Sequence, residues 1–243
     1  MTMLRFTMVP FPSGCWTQLA LWKFEILSIS VADSLIDAII FDWGGVITIP
    51  PGPVVTRLYN ESGVNQNALK SRQAKYDAKD PNSRFARLER GELALENYLA
   101  WSRDDLEGAE SIWDPESPHF LFPHLSVVPE VISAIEDLRN RGFATGLLSN
   151  NIAEAWPYVL SNLDVNELFD VSVNSAFVGM RKPEKRIFTH ILNELELPPE
   201  RTLFLDDVAV NIDAAKSVGM KTLKVVNPVQ SLAAMETILM QGI

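Results

Sequence analysis

The chain has 243 residues, enough for one α/β domain carrying a modest insertion. Hydrophobic residues make up 47% and charged residues 21%, ordinary for a soluble globular protein, and a net charge of -10 argues against nucleic acid as a partner, since its phosphates need a basic face. A single cysteine, Cys15, excludes an intrachain disulfide and any Cys-rich metal site and fits a reducing, cytoplasmic setting, while His119, His124 and His190 lack the spacing of a helical zinc motif.

Residues 1–36 read differently from the rest. They are apolar, with Trp16 and Trp22, but Lys23 and Glu25 interrupt the run from Cys15 to Val31. No uncharged run is long enough to span a bilayer, so a membrane role is not expected. The segment reads as an extension without a catalytic role, one that a product started at a non-Met codon such as that of Val31 would lack, rather than as a membrane or partner helix.

From Asp37 the pattern is regular. Ala38 to Phe41 is a short apolar run ending in Asp-Trp-Gly-Gly, which reads as a buried strand turning into a loop. Residues 52–125 are rich in helical patterns and poor in strands, and read as an inserted helical cap; one of its helices is expected to start near Gly91 and run through Leu93, Leu95, Tyr98 and Leu99. The core, 37–51 and 126–243, then resumes. Val131, Ile132, Ile135 and Leu138 share a helical face, and Gly142 suits the position after the helix end. Phe143 to Ser149 reads as a strand, with a weaker one near Val171 to Val173. Pro183 is expected in the first turn of a helix whose inner face carries Ile187, Phe188, Ile191, Leu192 and Leu195. Thr202 to Leu205 is an apolar strand, followed by a helix ending at Gly219, a strand over Lys221 to Val226 and a helix over Ser231 to Met240.

This alternation predicts an α/β fold, a doubly wound parallel sheet of Rossmann-like type with a small inserted helical cap. Ligands bind such sheets beyond the carboxyl ends of the strands. That rule brings together Asp42, Ser149-Asn150, Lys182 and Asp206-Asp207. The set supplies what phosphate-ester hydrolysis needs: a carboxylate nucleophile, hard oxygen ligands for magnesium, and a lysine to offset phosphate charge. Each member also has a plainer reading. Asp42 could cap a loop, Asp206-Asp207 could cap the following helix, and Lys182 could be a surface lysine; the four together, each at a strand end, favour the site.

Phe41-Asp42-Trp43-Gly44-Gly45-Val46-Ile47, Gly146-Leu147-Leu148-Ser149-Asn150, Gly179-Met180-Arg181-Lys182-Pro183 and Phe204-Leu205-Asp206-Asp207, with Asn211 and Gly219-Met220 behind it, resemble in order and spacing the four motifs of the haloacid dehalogenase superfamily. The forms are most similar to the branch with a helical cap after the first motif, which includes the phosphatase domain of soluble epoxide hydrolases and bacterial sugar-phosphate phosphatases. The resemblance implies a magnesium-dependent phosphatase acting on a small phosphorylated metabolite, a sugar phosphate first among them, through an aspartyl-phosphate intermediate. Asp42 would attack phosphorus; Asp42, Asp206, Asp207 and the Gly44 carbonyl would hold Mg2+. Ser149 and the Asn150 N–H would hold the phosphoryl group, Lys182 would neutralise charge, and Trp43, Gly44 and Gly45 would border the substrate. Asn211 would orient an aspartate.

One departure stands out. Many such phosphatases carry an acid/base aspartate two positions after the nucleophile, where this chain has Gly44. Glu89 and Glu92 of the cap are candidates for the missing role. A dehalogenase of the same superfamily is the alternative enzyme, although those usually carry Tyr at the position of Gly44 and need no metal. A phosphonatase would need a cap lysine, with Lys70 and Lys75 available but not distinguished. The non-enzymatic alternative is a catalytically weak metabolite-binding protein. Trp101, Trp113, Trp156 and the histidines are expected to pack or to lie on the surface.

Overall fold

A computed structural model of the chain describes residues 35–75 and 80–241. The expectations for Cys15, Val31 and their neighbours lie outside the described residues. In chain order the elements begin with β1 (Ala38–Phe41) and a tight turn over Trp43–Ile47. Four helices follow: α1 (Pro51–Glu61), α2 (Gln66–Lys75), α3 (Arg84–Glu89) and α4 (Leu95–Asp105). Then come α5 (Pro129–Asn140), β2 (Ala144–Ser149), α6 (Trp156–Asn162), α7 (Val165–Leu168), β3 (Val171–Asn174) and α8 (Ser175–Val178). The chain closes with α9 (Lys185–Glu194), β4 (Thr202–Asp206), α10 (Ala209–Ser217), β5 (Lys221–Lys224) and α11 (Pro228–Met240).

The strands form one five-stranded parallel sheet in the order β3-β2-β1-β4-β5. Every residue of β1 is buried, as a central strand covered on both faces requires. Alternation along the strand divides its side chains between two cores. Ile39 and Phe41 join Val131, Ile135 and Leu138 of α5 and Met235 and Leu239 of α11. Ile40 joins Ile187, Phe188 and Ile191 of α9 and Ile212 of α10. The result is the expected doubly wound architecture. The order places β1 beside both β2 and β4, so the chain diverges to either side at the end of β1 and opens a crevice there.

The chain leaves the sheet after β1 and returns before α5 at adjacent points. Thr48 and Val127 form an antiparallel bridge, flanked by Ile49 N–H to Ser126 O at 3.0 Å and Val128 N–H to Ile47 O at 2.8 Å. Between them, Val54, Leu58 and Leu69 pack with Ile112, Leu121 and Leu125. Leu88, Leu95 and Tyr98 pack with Phe120 and with Ile152 and Ala155, which follow β2. Among the described residues no helix is long and apolar enough to cross a membrane.

Several local expectations need correction. No helix starts near Gly91: α3 ends at Glu89, Gly91 turns with φ 67°, and α4 begins at Leu95. A Cβ at residue 91 would lie 2.4 Å from the Ala176 carbonyl oxygen, so the turn uses glycine for both its backbone angle and its close approach. Pro183 precedes α9 rather than entering its first turn, since Glu184 is the N-cap. The last strand stops at Lys224, short of Val226, and α11 starts earlier than Ser231 because the Asn227 side chain accepts from the Gln230 N–H and Pro228 follows it.

Candidate active site

The carboxyl ends of β1, β2 and β4 converge on one site. Asp42 follows β1, and its N–H is fixed to Leu205 O at 2.9 Å. The turn after it folds back so that Thr48 N–H reaches Trp43 O at 3.0 Å. Gly45 within that turn has φ 74°, and a Cβ there would lie 2.6 Å from Asp207 Oδ2. Only a glycine lets the Asp207 carboxylate sit against this loop.

Lys182 is 1% exposed and has three partners: Asp42 Oδ1 at 2.6 Å, Asp206 Oδ2 at 2.8 Å and Leu148 O at 2.9 Å. Its ammonium donors are thus all used, which is what a buried lysine requires. The lysine's backbone is held as well. Asn150 Oδ1 accepts from Lys182 N–H at 2.8 Å, and Asn150 Nδ2 donates to Lys182 O at 2.9 Å. Asp206, at the end of β4, is fully buried. Its oxygens accept from Lys182, from Val208 N–H at 2.7 Å and from Asn211 Nδ2 at 3.1 Å. Asn211 therefore does orient an aspartate, and Asp206 is the one.

Asp42, Asp206 and Asp207 each offer a carboxylate oxygen within 4.8 Å of the other two. Three carboxylates face one lysine, so the cluster has an excess of negative charge that suits a divalent cation with hard oxygen ligands. Asp206 has both oxygens taken by protein donors, whereas Asp42 is held by Lys182 through Oδ1. Burial pushes the Asp42 carboxyl up to about 7, against the pull of Lys182 and with a further push from Asp206 and Asp207. Burial and the Asp206 charge also raise Asp207, while Lys182 draws it back. Burial works against the Lys182 ammonium, but Asp206 and Asp42 outweigh it and hold this lysine above its ordinary value.

A cavity of about 610 Å³ opens over this cluster. Asp42, Trp43, Gly44, Ser149, Asn150, Lys182, Asp207 and Asn211 all border it. Gly45 and Asp206 lie behind, as supports of Asp207 and Lys182. The two cap glutamates separate. Glu89 is buried and borders the cavity, whereas Glu92 is half-exposed and pairs with Arg90 at 2.7 Å. Burial raises the Glu89 carboxyl even though Arg181 draws it down. Lys70 is exposed and away from the cavity; the Lys75 side chain lies outside the described residues.

Sequence reasoning missed three features of the site. Arg181, next to Lys182, lines the cavity and pairs with Glu89 at 2.6 Å. Its place inside the third motif was the available signal. Asn151 lines the cavity with its Nδ2 unpartnered, while its Oδ1 accepts from Ile152 N–H at 2.8 Å. Trp113, expected only to pack or lie on the surface, forms part of the cavity wall and stacks against Phe85 with centroids 4.6 Å apart.

Comparison with known proteins supports the fold and the family. The family model described as haloacid dehalogenase-like hydrolase matches residues 36–219. Mouse acyl-CoA dehydrogenase family member 10 is 31% identical over 206 residues, which is 83% of this chain and 19% of that protein. Glyceraldehyde 3-phosphate phosphatase of Pyrococcus furiosus is 31% identical over 104 residues, 42% of this chain and 43% of that enzyme. The chain thus spans less than half the length of these curated relatives. Among solved structures, a haloacid dehalogenase-family enzyme of Bacteroides thetaiotaomicron, in complex with magnesium and inorganic phosphate, superposes with a TM-score of 0.62. It is 19% identical and the match covers 79% of this chain and 96% of that one, a likeness of fold.

Proposed function

We propose that this chain, which belongs to the haloacid dehalogenase-like hydrolases, is a magnesium-dependent phosphatase of a small phosphorylated metabolite. The observation that carries the reading is the buried Lys182 ammonium held between Asp42 and Asp206, with Asp207 beside them. In this reading Asp42 attacks phosphorus and the ester oxygen departs. Water then attacks the aspartyl phosphate and returns free Asp42 and inorganic phosphate. Lys182 fixes Asp42 through Oδ1 and offsets charge on the phosphoryl group. Ser149 and the Asn150 N–H hold the phosphoryl oxygens. Asp42, Asp207 and the Gly44 carbonyl are the ligands proposed for Mg2+, with Asp206 adding charge behind Lys182. The ion, when bound, supplies positive charge to the phosphoryl oxygens.

Gly44 has no proton to give, so the departing oxygen needs another donor. Glu89 is assigned that role. It borders the cavity, where burial works against its charged form and Arg181 for it. The insertion of residues 52–125 serves as the cap. The dehalogenase reading is weaker, because chemistry at carbon has no use for the third carboxylate, Asp207.

The test is phosphate release from an aryl phosphate, with magnesium and with chelator, for the wild type and Asp42→Asn. Turnover that needs magnesium and disappears in the variant supports the reading. Folded, magnesium-loaded protein with no turnover on aryl, sugar or alkyl phosphates would favour a binding protein instead.

A further inference from the structure

The cavity over the acidic cluster is lined by two unlike sets of side chains, and the apolar set is the one a leaving group would meet. Its wall is built from Trp43, Phe85, Trp113, Leu121, Phe122 and Leu125. Five of these six lie within residues 52–125, so this apolar wall belongs mostly to the cap rather than to the sheet. The aromatic members are braced: Phe85 packs on Tyr98 at 5.9 Å and on Trp113 at 4.6 Å, and Phe122 packs on Phe120 at 5.3 Å.

Several polar side chains of the cavity are already committed to the protein. Both amide atoms of Asn150 bind the Lys182 backbone. Asn211 binds Asp206 through Nδ2. Asn151 Oδ1 binds the Ile152 N–H. Glu89 and Arg181 face each other. The buried polar atoms at the cavity left without a hydrogen-bond partner are Asn151 Nδ2 and the ion-paired Glu89 Oε2 and Arg181 Nε. A sugar carries several hydroxyls, and each one moved out of water without a partner opposes binding. Pockets that recognise hydroxyls place matching groups around them. This one places aromatic rings and leucines, which suit apolar surface.

We propose that the substrate is the phosphate monoester of an apolar alcohol, the hydrocarbon body lying against the Phe85–Trp113 wall while the phosphate meets Asp42 and Lys182. This rests on the phosphatase reading and replaces the sugar expected from resemblance. The reaction is ordinary monoester hydrolysis: the P–O bond to the alcohol breaks, Asp42 and then water supply the new bond to phosphorus, and the alcohol leaves with a proton.

The experiment compares cyclohexylmethyl phosphate with glucose 6-phosphate. Both are esters of a primary alcohol on a six-membered ring, so they differ mainly in hydroxyl groups. Acetyl phosphate, too small to reach the wall, reports the reaction centre alone. The inference expects kcat/KM for the cyclohexylmethyl ester to exceed that for the sugar by about tenfold or more. It also expects Phe85→Asn to reduce the former by about tenfold while leaving acetyl phosphate turnover unchanged. Equal or greater activity on glucose 6-phosphate, with acetyl phosphate hydrolysed, overturns the inference and leaves the phosphatase reading standing. No hydrolysis of acetyl phosphate by folded, magnesium-loaded protein overturns the phosphatase reading and this inference with it. Should Phe85→Asn fail to fold, the two-ester comparison on the wild type still decides.

Discussion

Replacing Gly45 with alanine isolates the contribution of Asp207. Two effects follow from the structure. Gly45 has φ 74°, and an L-residue in that conformation costs roughly 1–2 kcal/mol. For a protein of this size that is a fall in Tm of roughly 2–8 °C. The second effect is local: the new Cβ would sit 2.6 Å from Asp207 Oδ2, so the carboxylate must turn away from Asp42. Misplacing a group that holds or orients a metal ligand typically lowers affinity about 10–100-fold. Gly63→Ala is the control, because Gly63 has φ 75° and nothing within 4 Å of its Cβ position. Both variants should lose comparable thermal stability, measured in chelator. Only Gly45→Ala should weaken magnesium binding, measured by titration calorimetry near neutral pH. If magnesium affinity is the same in the two variants, Asp207 is not a ligand and the ion, if any, is held elsewhere.

Lys182→Met should destabilise the protein by about 3–5 kcal/mol in chemical denaturation, because Asp42 and Asp206 then share a buried site with no counter-charge; a loss under about 1 kcal/mol would mean the pair is not uncompensated. Glu89→Gln should slow alkyl phosphates about 10²–10⁴-fold while changing nitrophenyl phosphate little, since nitrophenolate leaves without a proton; equal losses on both would remove Glu89 as the acid. Magnesium should stabilise the protein more as pH rises. In the cation-free protein Asp42 is raised from 3.8 to about 7, so the folded state binds its proton more tightly than the unfolded state, and this group's contribution to stability is lost as pH climbs between those values. The ion needs the ionised carboxylate, so its apparent affinity should fall about tenfold per pH unit below 7. The difference in Tm with and without magnesium, followed from about pH 5 to 8, checks this, and a flat difference contradicts it.

Much of this architecture is legible in the sequence because the strands are short, apolar and followed at once by their functional residues. Asp42, Ser149 and Asp206 each stand at a strand end, and the parallel-sheet rule brings them together without further information. Asn211 was readable for the same reason, one helical turn beyond Asp206. The insertion was harder. A run containing Gly91, Leu93 and Leu95 has the composition of a helix, but Gly91 turns with φ 67° against the Ala176 carbonyl. That contact is made with a residue 85 positions away in number, and no local pattern encodes it. Glu89 and Glu92 were equivalent in sequence for a similar reason. Only the turn between them decides that one faces the cavity and the other solvent. Trp113 and Phe85 share no periodic element, so their shared wall was invisible until the insertion was folded.

Residue 44 sits in a tight part of the loop. A Cβ on Gly44 would lie 3.1 Å from Pro51 Cγ, tighter than ordinary contact. Pro51 opens α1, where its ring presets the helical backbone. A side chain at residue 44 therefore needs the Pro51 ring to give by a few tenths of an ångström. With glycine at residue 44, a proton donor has to come from elsewhere in the cavity, and α3 is where a buried carboxylate stands. Its position is secured three ways: Glu89 pairs with Arg181 at 2.6 Å, Arg90 with Glu184 at 3.1 Å, and Gly91 rests against Ala176. All three anchors lie within residues 176–184, the stretch that also delivers Lys182. One segment of chain thus fixes both the counter-charge beside the nucleophile and the wall that carries Glu89. On the proposed reading, displacing that segment would disable the attack on phosphorus and the protonation of the leaving group together.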